Sequence, residues 1–156
     1  MREPHTAIFA AGCFWQPEYE FRQRDGVLDT QVGYIGGHVD KPDYETVCTG
    51  NTGHAEAVKV IHDSGKISYD VMLQVFFSIH DPTQKNRQGL DIGPQYRSAI
   101  FYLDEVQRTK ARQMVNKLIE RGYAIQTGIE PAGTFWPAEG YHQRYLEKQI
   151  QNRVLK

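Results

Sequence analysis

The spacing of apolar and polar positions switches between two periods along this chain, and the switches predict its elements. Residues 6–10 (Thr-Ala-Ile-Phe-Ala) are a short apolar run ending before Gly12, the pattern of a buried strand. From 13 to 24 the spacing turns helical, with Phe14, Tyr19 and Phe21 interleaved with Glu18, Glu20, Arg22 and Arg24. Pro17 suits a first helical turn, where its missing N–H is not needed, and Asp25-Gly26 stops the helix. The β-branched stretch 27–35 predicts a second strand closed by Gly36-Gly37, and 55–61 a third. Ser68 can cap a helix running to about 78, because Val71, Val75 and Ile79 recur at i, i+4 and i+8. His80-Asp81-Pro82-Thr83 ends it, since the residue before a proline avoids helical dihedrals. A polar loop over 84–95 leads into a strong strand at 97–103. Asp104 caps the longest helix, 105–121, closed by Gly122. A last strand over 124–130 and a polar helix from 139 to about 150 complete the pattern. Alternating strands and helices predict an α/β or α+β domain with helices packed on one sheet.

Chemistry concentrates in four places. Cys13 follows a predicted strand and opens a predicted helix. A helix N-terminus favours thiolate over thiol, so this placement predicts a lowered cysteine pKa and an activated nucleophile. Phe14 and Trp15 would give that nucleophile an aromatic wall; the plainer reading makes all three packing residues. In the turn-rich segment 44–56, Glu56 stands at the mouth of a strand. There it is either a solvated carboxylate or a general acid whose pKa is raised by aromatic surroundings. Asp91, Gln95 and Tyr96 lie in the loop before the strongest strand, where binding groups or mere turn formers are expected. The aromatic segment 135–146 reads as a packing helix.

Composition narrows the classes. The 156 residues fit one domain, with 40% hydrophobic and 24% charged residues, an ordinary globular mix. A net charge of −1 offers no basic excess for a phosphate backbone, so no nucleic-acid partner is expected. Apolar runs fall far short of the roughly 18 residues that a membrane span needs. Met1 to Ala10 do not read as a signal peptide, and two cysteines, Cys13 and Cys48, suit a reducing compartment, so a cytoplasmic location is expected. The six histidines and two cysteines show no paired ligand spacing, and no phosphate loop or dinucleotide fingerprint occurs, so neither a metal nor a cofactor is expected. Pairing of Cys13 with His54, His80 or His142, as in a Cys–His hydrolase, stays open on spacing alone.

Several motifs occur in order along nearly the whole chain: Gly12-Cys13-Phe14-Trp15 with Glu18, Gly33-Tyr34-Ile35-Gly36-Gly37, Tyr44 through Val58, His80-Asp81-Pro82-Thr83-Gln84, Asp91 through Ser98, and Ala138-Glu139-Gly140-Tyr141-His142-Gln143. Together they resemble the A-type peptide-methionine sulfoxide reductases. The resemblance implies one catalytic domain over residues 1–156, with a two-layer fold and a ferredoxin-like mixed sheet. It implies that Cys13 attacks the sulfoxide sulfur, that Phe14 and Trp15 hold the substrate methyl group, and that Glu56, Tyr44 and Tyr96 meet the sulfoxide oxygen with Asp91 in support. The substrate would be methionine S-sulfoxide, free or in oxidised proteins. The product would be methionine and a Cys13 sulfenic acid that thioredoxin, glutaredoxin or a small thiol reduces.

Some positions depart from the family pattern. Gln16 stands where Gly is usual, Trp136 where Tyr or Phe is usual, and Gly140 where an acidic residue is usual. Many members carry resolving cysteines in a Gly-rich C-terminal tail, whereas this sequence ends at Leu155-Lys156. Direct attack by an external thiol is therefore expected, with Cys48 as the less favoured resolver. A module that binds oxidised methionine without catalysis would keep Phe14 and Trp15 but need neither Cys13 nor Glu56.

Overall fold

The computed structural model describes residues 4–154; the expectations that rest on Met1 and on Leu155-Lys156 lie outside the described residues. In β1 (Pro4–Ala11), Ala7, Phe9 and Ala11 face one side and Ile8 and Ala10 the other, and both sets are buried. A strand buried on both faces reads as a continuous apolar run, and it must sit inside a covered sheet. β1 pairs antiparallel with β3 (Ala55–Asp63) on one side and β6 (Ser98–Tyr102) on the other. β2 (Val27–Ile35) pairs with the far side of β3, and β7 (Gly128–Pro131) adds a parallel edge to β6. With β8 (Trp136–Pro137) the order is β7-β6-β1-β3-β2-β8. The central four strands, β6-β1-β3-β2, have the order and antiparallel pairing of a ferredoxin-like sheet.

Three helices cover one face: α1 (Trp15–Arg22), α3 (Tyr69–Ser78) and α4 (Glu105–Glu120). Phe9 anchors that layer, its ring 5.3 Å from Phe21, 5.1 Å from Phe76 and 6.1 Å from Tyr69. The other face is built largely of small residues, Ala10, Ala55, Ala57 and Ala99, and coil carrying Ala132 and Phe135 packs on it. Gly33 belongs to this close approach: a Cβ there would lie 2.4 Å from the Trp136 carbonyl oxygen. The expected two-layer α/β architecture with a mixed sheet is what the chain forms.

The differences from the sequence reading are local. The loop 84–95 contains a hairpin, β4 (Arg87–Gln88) with β5 (Asp91–Ile92), too short to show a period. The turn-rich segment after residue 43 holds a five-residue helix, α2 (Tyr44–Cys48), started by a reciprocal cap between Asp43 and Thr46. The strand expected over 124–130 begins at 128, and the two-residue β8 follows it. The region read as one helix from 139 is a 3₁₀ turn, Gly140–His142, followed by α5 (Tyr145–Val154). Gln143 explains the break. Its side chain bonds both Val32 N–H and Val32 C=O, at 2.9 Å each, filling the place of a strand partner along β2.

Candidate active site

Gly12 turns β1 into α1. Its φ is +87°, and a Cβ would meet the Gln88 side chain at 2.8 Å, so the turn needs a residue without a side chain. This leaves Cys13 half-buried between strand and helix, with its thiol free. Strand register supplies the second group. Phe9 pairs with Val58, so Glu56, two residues before Val58, reaches the level where β1 gives way to the turn. Alternation puts Glu56 on the face of Val58 and Val60, toward the helices. Phe14, at the head of α1, has no side chain able to cap it. Glu56 Oε1 does so from the next layer, accepting the Phe14 N–H at 3.2 Å. Glu56 is 1% exposed, and its Oε2 is buried without a partner. Burial pushes the carboxyl up to about 7 against the opposing Phe14 hydrogen bond.

The same cluster corrects the expectation for Cys13. Burial, and then the Glu56 carboxylate, push its thiol up to about 12, while the Trp15 N–H pulls the other way. The helix start does attract negative charge, but the Phe14 N–H is already taken by Glu56 and a buried sulfur loses its hydration. The resting thiol is therefore a weak acid.

Tyr44 is the first residue of α2, and Tyr96 ends the 3₁₀ turn Pro94–Tyr96. Cys48 sits exposed at the end of α2; burial pushes its thiol up, and the nearby Tyr44 and Tyr96 hydroxyls pull it the other way. Glu56, Cys48, Asp91 and Cys13 all bear on Tyr96, whose phenol, like that of Tyr44, is held protonated chiefly by burial. Asp91 is on β5 and lines a hollow of about 360 Å³ with Cys13, Trp15, His80 and Gln88. Glu56, Tyr44 and Tyr96 do not line that hollow, so Cys13 is where the open hollow and the buried polar cluster meet. Phe14 is fully buried, packing on Tyr34 and His142 at 5.7 and 5.2 Å, so Trp15 is the aromatic face open to the hollow.

Three residues of the C-terminal segment shape the site, although the sequence reading treated that segment as packing. His142 is wholly buried; its Nδ1 accepts the Trp15 Nε1–H at 2.9 Å, and its ring lies 4.4 Å from Tyr44. Tyr145 stacks on Trp15 at 4.0 Å. Glu139 accepts the Tyr44 N–H at 2.9 Å and the Tyr34 hydroxyl at 2.8 Å. Aromatic density in this segment was the available signal; the missing information was that its partners lie 95 or more residues earlier.

The Cys–His alternative fails on geometry. His54 Nδ1 accepts from Gly37 N–H and its Nε2 bonds Val39 C=O, while His80 bonds Phe76 C=O and Ser98 Oγ. His142 Nδ1 accepts from Trp15, which leaves the ring proton on Nε2, and Nε2 is buried without a hydrogen-bond partner, so none of the three histidines is hydrogen-bonded to Cys13. Among the described residues no cluster of three or more His, Cys, Asp or Glu could hold a metal, and no helix is long and apolar enough to cross a membrane.

A family model for peptide methionine sulfoxide reductase matches residues 5–155. The chain belongs to that family. Peptide methionine sulfoxide reductase MsrA of Methanothermobacter thermautotrophicus is 55% identical over 94% of this chain and 89% of its own length. Among solved reductases of the family, the reduced form of Mxr1 from Saccharomyces cerevisiae is 36% identical, with a TM-score of 0.88 over 96% of this chain and 87% of that one. Mxr1 has also been solved in complex with Trx2, where the likeness is one of fold, with a TM-score of 0.66 at 24% identity over 92% and 85% of the two chains.

Proposed function

We propose that this reductase returns the S-epimer of methionine sulfoxide, free or in oxidised proteins, to methionine through attack by Cys13 on the sulfoxide sulfur. The observation that carries the reading is Glu56: a buried carboxyl with one oxygen spent on the head of α1, the other unpartnered, and an acidity placed near neutrality beside a cysteine. A sulfoxide oxygen leaves badly unless protonated, and Glu56 is an acid that still carries its proton near pH 7. Tyr44 and Tyr96 donate hydrogen bonds to that oxygen as charge builds on it, and Asp91 supports the polar cluster. Trp15, backed by Phe14, takes the methyl group. Methyl on one side and oxygen on the other select one epimer.

Proton placement follows from the pair. Cys13 ionises more easily once Glu56 is neutral, because the Glu56 carboxylate is among the groups that hold its proton on. The reactive arrangement is thus thiolate Cys13 with protonated Glu56. The sulfur–oxygen bond of the sulfoxide breaks, the oxygen passes to Cys13 as a hydroxyl, and the proton lost by the thiol balances the one given by Glu56. Overall, a thiol and a sulfoxide become a sulfenic acid and a thioether.

An external thiol then attacks the sulfenic acid, releasing water and forming a mixed disulfide that a second thiol cleaves. Thioredoxin, glutaredoxin or a small thiol fits this role. Cys48 is exposed at the end of α2 and forms no disulfide with Cys13 here, and the external-thiol cycle leaves it out. The chain acts as one catalytic domain, and its two free cysteines suit the reducing cytoplasm. Epimer-resolved turnover of methionine sulfoxide with dithiothreitol tests the reading: the S-epimer is consumed and the R-epimer is not, and consumption of neither would refute it.

Two further outcomes are expected. Tyr44→Phe and Tyr96→Phe will each lower kcat by less than the double substitution does, because each phenol partly covers for the other; steady-state kinetics of the three variants checks this. His142→Ala will raise KM more than it lowers kcat, because it frees the indole of Trp15 without touching Cys13 or Glu56. Tryptophan emission of the variant will shift as Nε1 loses its acceptor, whereas a loss confined to kcat would speak against the assignment.

A further inference from the structure

The β4–β5 hairpin carries two apolar side chains that the fold does not use. Leu90 is 98% exposed and Ile92 69% exposed, on either side of Asp91. This exposure is held in place. Gln88 bonds both the N–H and the C=O of Asp81, at 2.7 and 2.9 Å. The Gly89 N–H donates to Gln84 Oε1 at 2.8 Å, and the Gly93 N–H to the Asn86 carbonyl at 2.9 Å. A tethered hairpin that presents its apolar residues to water gains nothing from them in the free protein, and apolar groups held exposed beside a site mark an interaction surface.

The place of the hairpin says what the surface meets. Gln88, Gly89 and Asp91 line the hollow that contains Cys13, so Leu90 and Ile92 stand on its rim. At about 360 Å³ the hollow is at the small end of ligand sites, and a peptide substrate can put little more than its sulfoxide side chain inside. The main chain on either side has to cross the rim. Two aliphatic side chains offer that crossing segment burial and no hydrogen bond, so the flanking residues that gain from the rim are apolar ones.

We infer that Leu90 and Ile92 form a dock for the apolar side chains flanking the oxidised methionine in an extended substrate segment. The inference rests on the proposed reading of the Cys13 hollow as the sulfoxide site. It makes the enzyme selective for exposed hydrophobic stretches of damaged proteins, with the hairpin reading sequence around the methionine while the hollow reads the sulfoxide.

The test compares the full chain with a Leu90→Ser/Ile92→Ser variant, using dithiothreitol as reductant. Three S-sulfoxide substrates are used: the free amino acid, a blocked peptide with glycine flanks and a blocked peptide with leucine flanks. For the leucine-flanked peptide the variant's kcat/KM is expected to fall roughly tenfold, carried by KM, as for loss of partly buried apolar contacts. The other two substrates are expected to change by less than about twofold, as for ordinary surface substitutions. An unchanged preference for the leucine-flanked peptide would overturn the inference, and so would an equal loss on all three substrates, which would instead assign the pair to holding Asp91. Loss confined to thioredoxin-driven turnover would make the rim the reductant's surface. A concentration-dependent size difference between the proteins would make it a contact with a second copy. Either result would likewise overturn it. Failure of the unsubstituted protein on all three substrates would instead refute the proposed function.

Discussion

Cys13→Ser is expected to abolish methionine sulfoxide reduction while the protein stays folded. A serine hydroxyl lacks the nucleophilicity of a thiolate and cannot accept the sulfoxide oxygen as a sulfenic acid does. The fold tolerates the change because Cys13 lies half-buried on the bridge between β1 and α1, outside the aromatic layer around Phe9. Near-ultraviolet dichroism and a melting curve close to those of the unsubstituted chain establish the folded state. Appreciable turnover in such a protein would remove Cys13 from the mechanism. Cys48 gives no rescue, since it is exposed at the end of α2 and the N-terminus of α1 points at Glu56.

Glu56→Gln is expected to cost roughly 10²–10⁴ in kcat, the usual penalty for removing a general acid. Two other readouts move in directions that general damage would not produce. The Glu56 carboxylate helps keep the Cys13 thiol protonated, so the variant thiol becomes more acidic and iodoacetamide alkylates it faster at a given pH, even as turnover collapses. Stability also changes shape with pH. Glu56 has its carboxyl raised from the usual 4.5 to about 7, so between these values the folded protein binds more protons than the unfolded chain and its stability falls as pH rises. The loss is complete above about pH 7 and amounts to about 3 kcal/mol at most. Glutamine does not titrate, so the Glu56 share of this fall is absent from the variant's urea-denaturation profile, while the buried Glu18 carboxyl, also pushed up by burial, keeps its own share. A wild-type reduction rate would dismiss Glu56 as the acid, and an undiminished pH-dependent fall would show that Glu56 does not titrate there.

Such a trade-off is typical of functional sites: a carboxyl that destabilises the fold is kept where its proton is wanted. The cost is contained by the single hydrogen bond from Phe14, which leaves Glu56 Oε2 unpartnered.

Much of this architecture was readable from residues alone, because the elements that matter are regular. The runs at 27–35 and 97–103 and the helix after Asp104 announce themselves by period and cap, and the observed elements fall within a few residues of them. Cys13 and Glu56 were singled out by type and placement. Their meeting depends on the β1–β3 register, which no local pattern encodes. Three features stayed hidden for different physical reasons. The acidity expected of Cys13 followed from the helix terminus, but burial is a tertiary property and it outweighs the single Trp15 N–H. The β4–β5 hairpin and α2 are too short for a period to register. The roles of Glu139, His142 and Tyr145 rest on contacts with Tyr44, Tyr34 and Trp15, and the segment between them is broken by the Gln143 bonds to Val32 rather than helical throughout.

The central claim, that Cys13 itself takes the sulfoxide oxygen, is tested most directly by a single turnover without reductant. The protein is mixed with methionine S-sulfoxide, the methionine released is counted, and the chain is analysed by intact mass and peptide mapping with dimedone present. The account predicts one methionine per chain, a dimedone adduct on the Cys13 peptide and an unmodified Cys48 peptide. Methionine formed with the Cys13 peptide unaltered would contradict it, and a stoichiometric Cys13–Cys48 disulfide would contradict the external-thiol cycle.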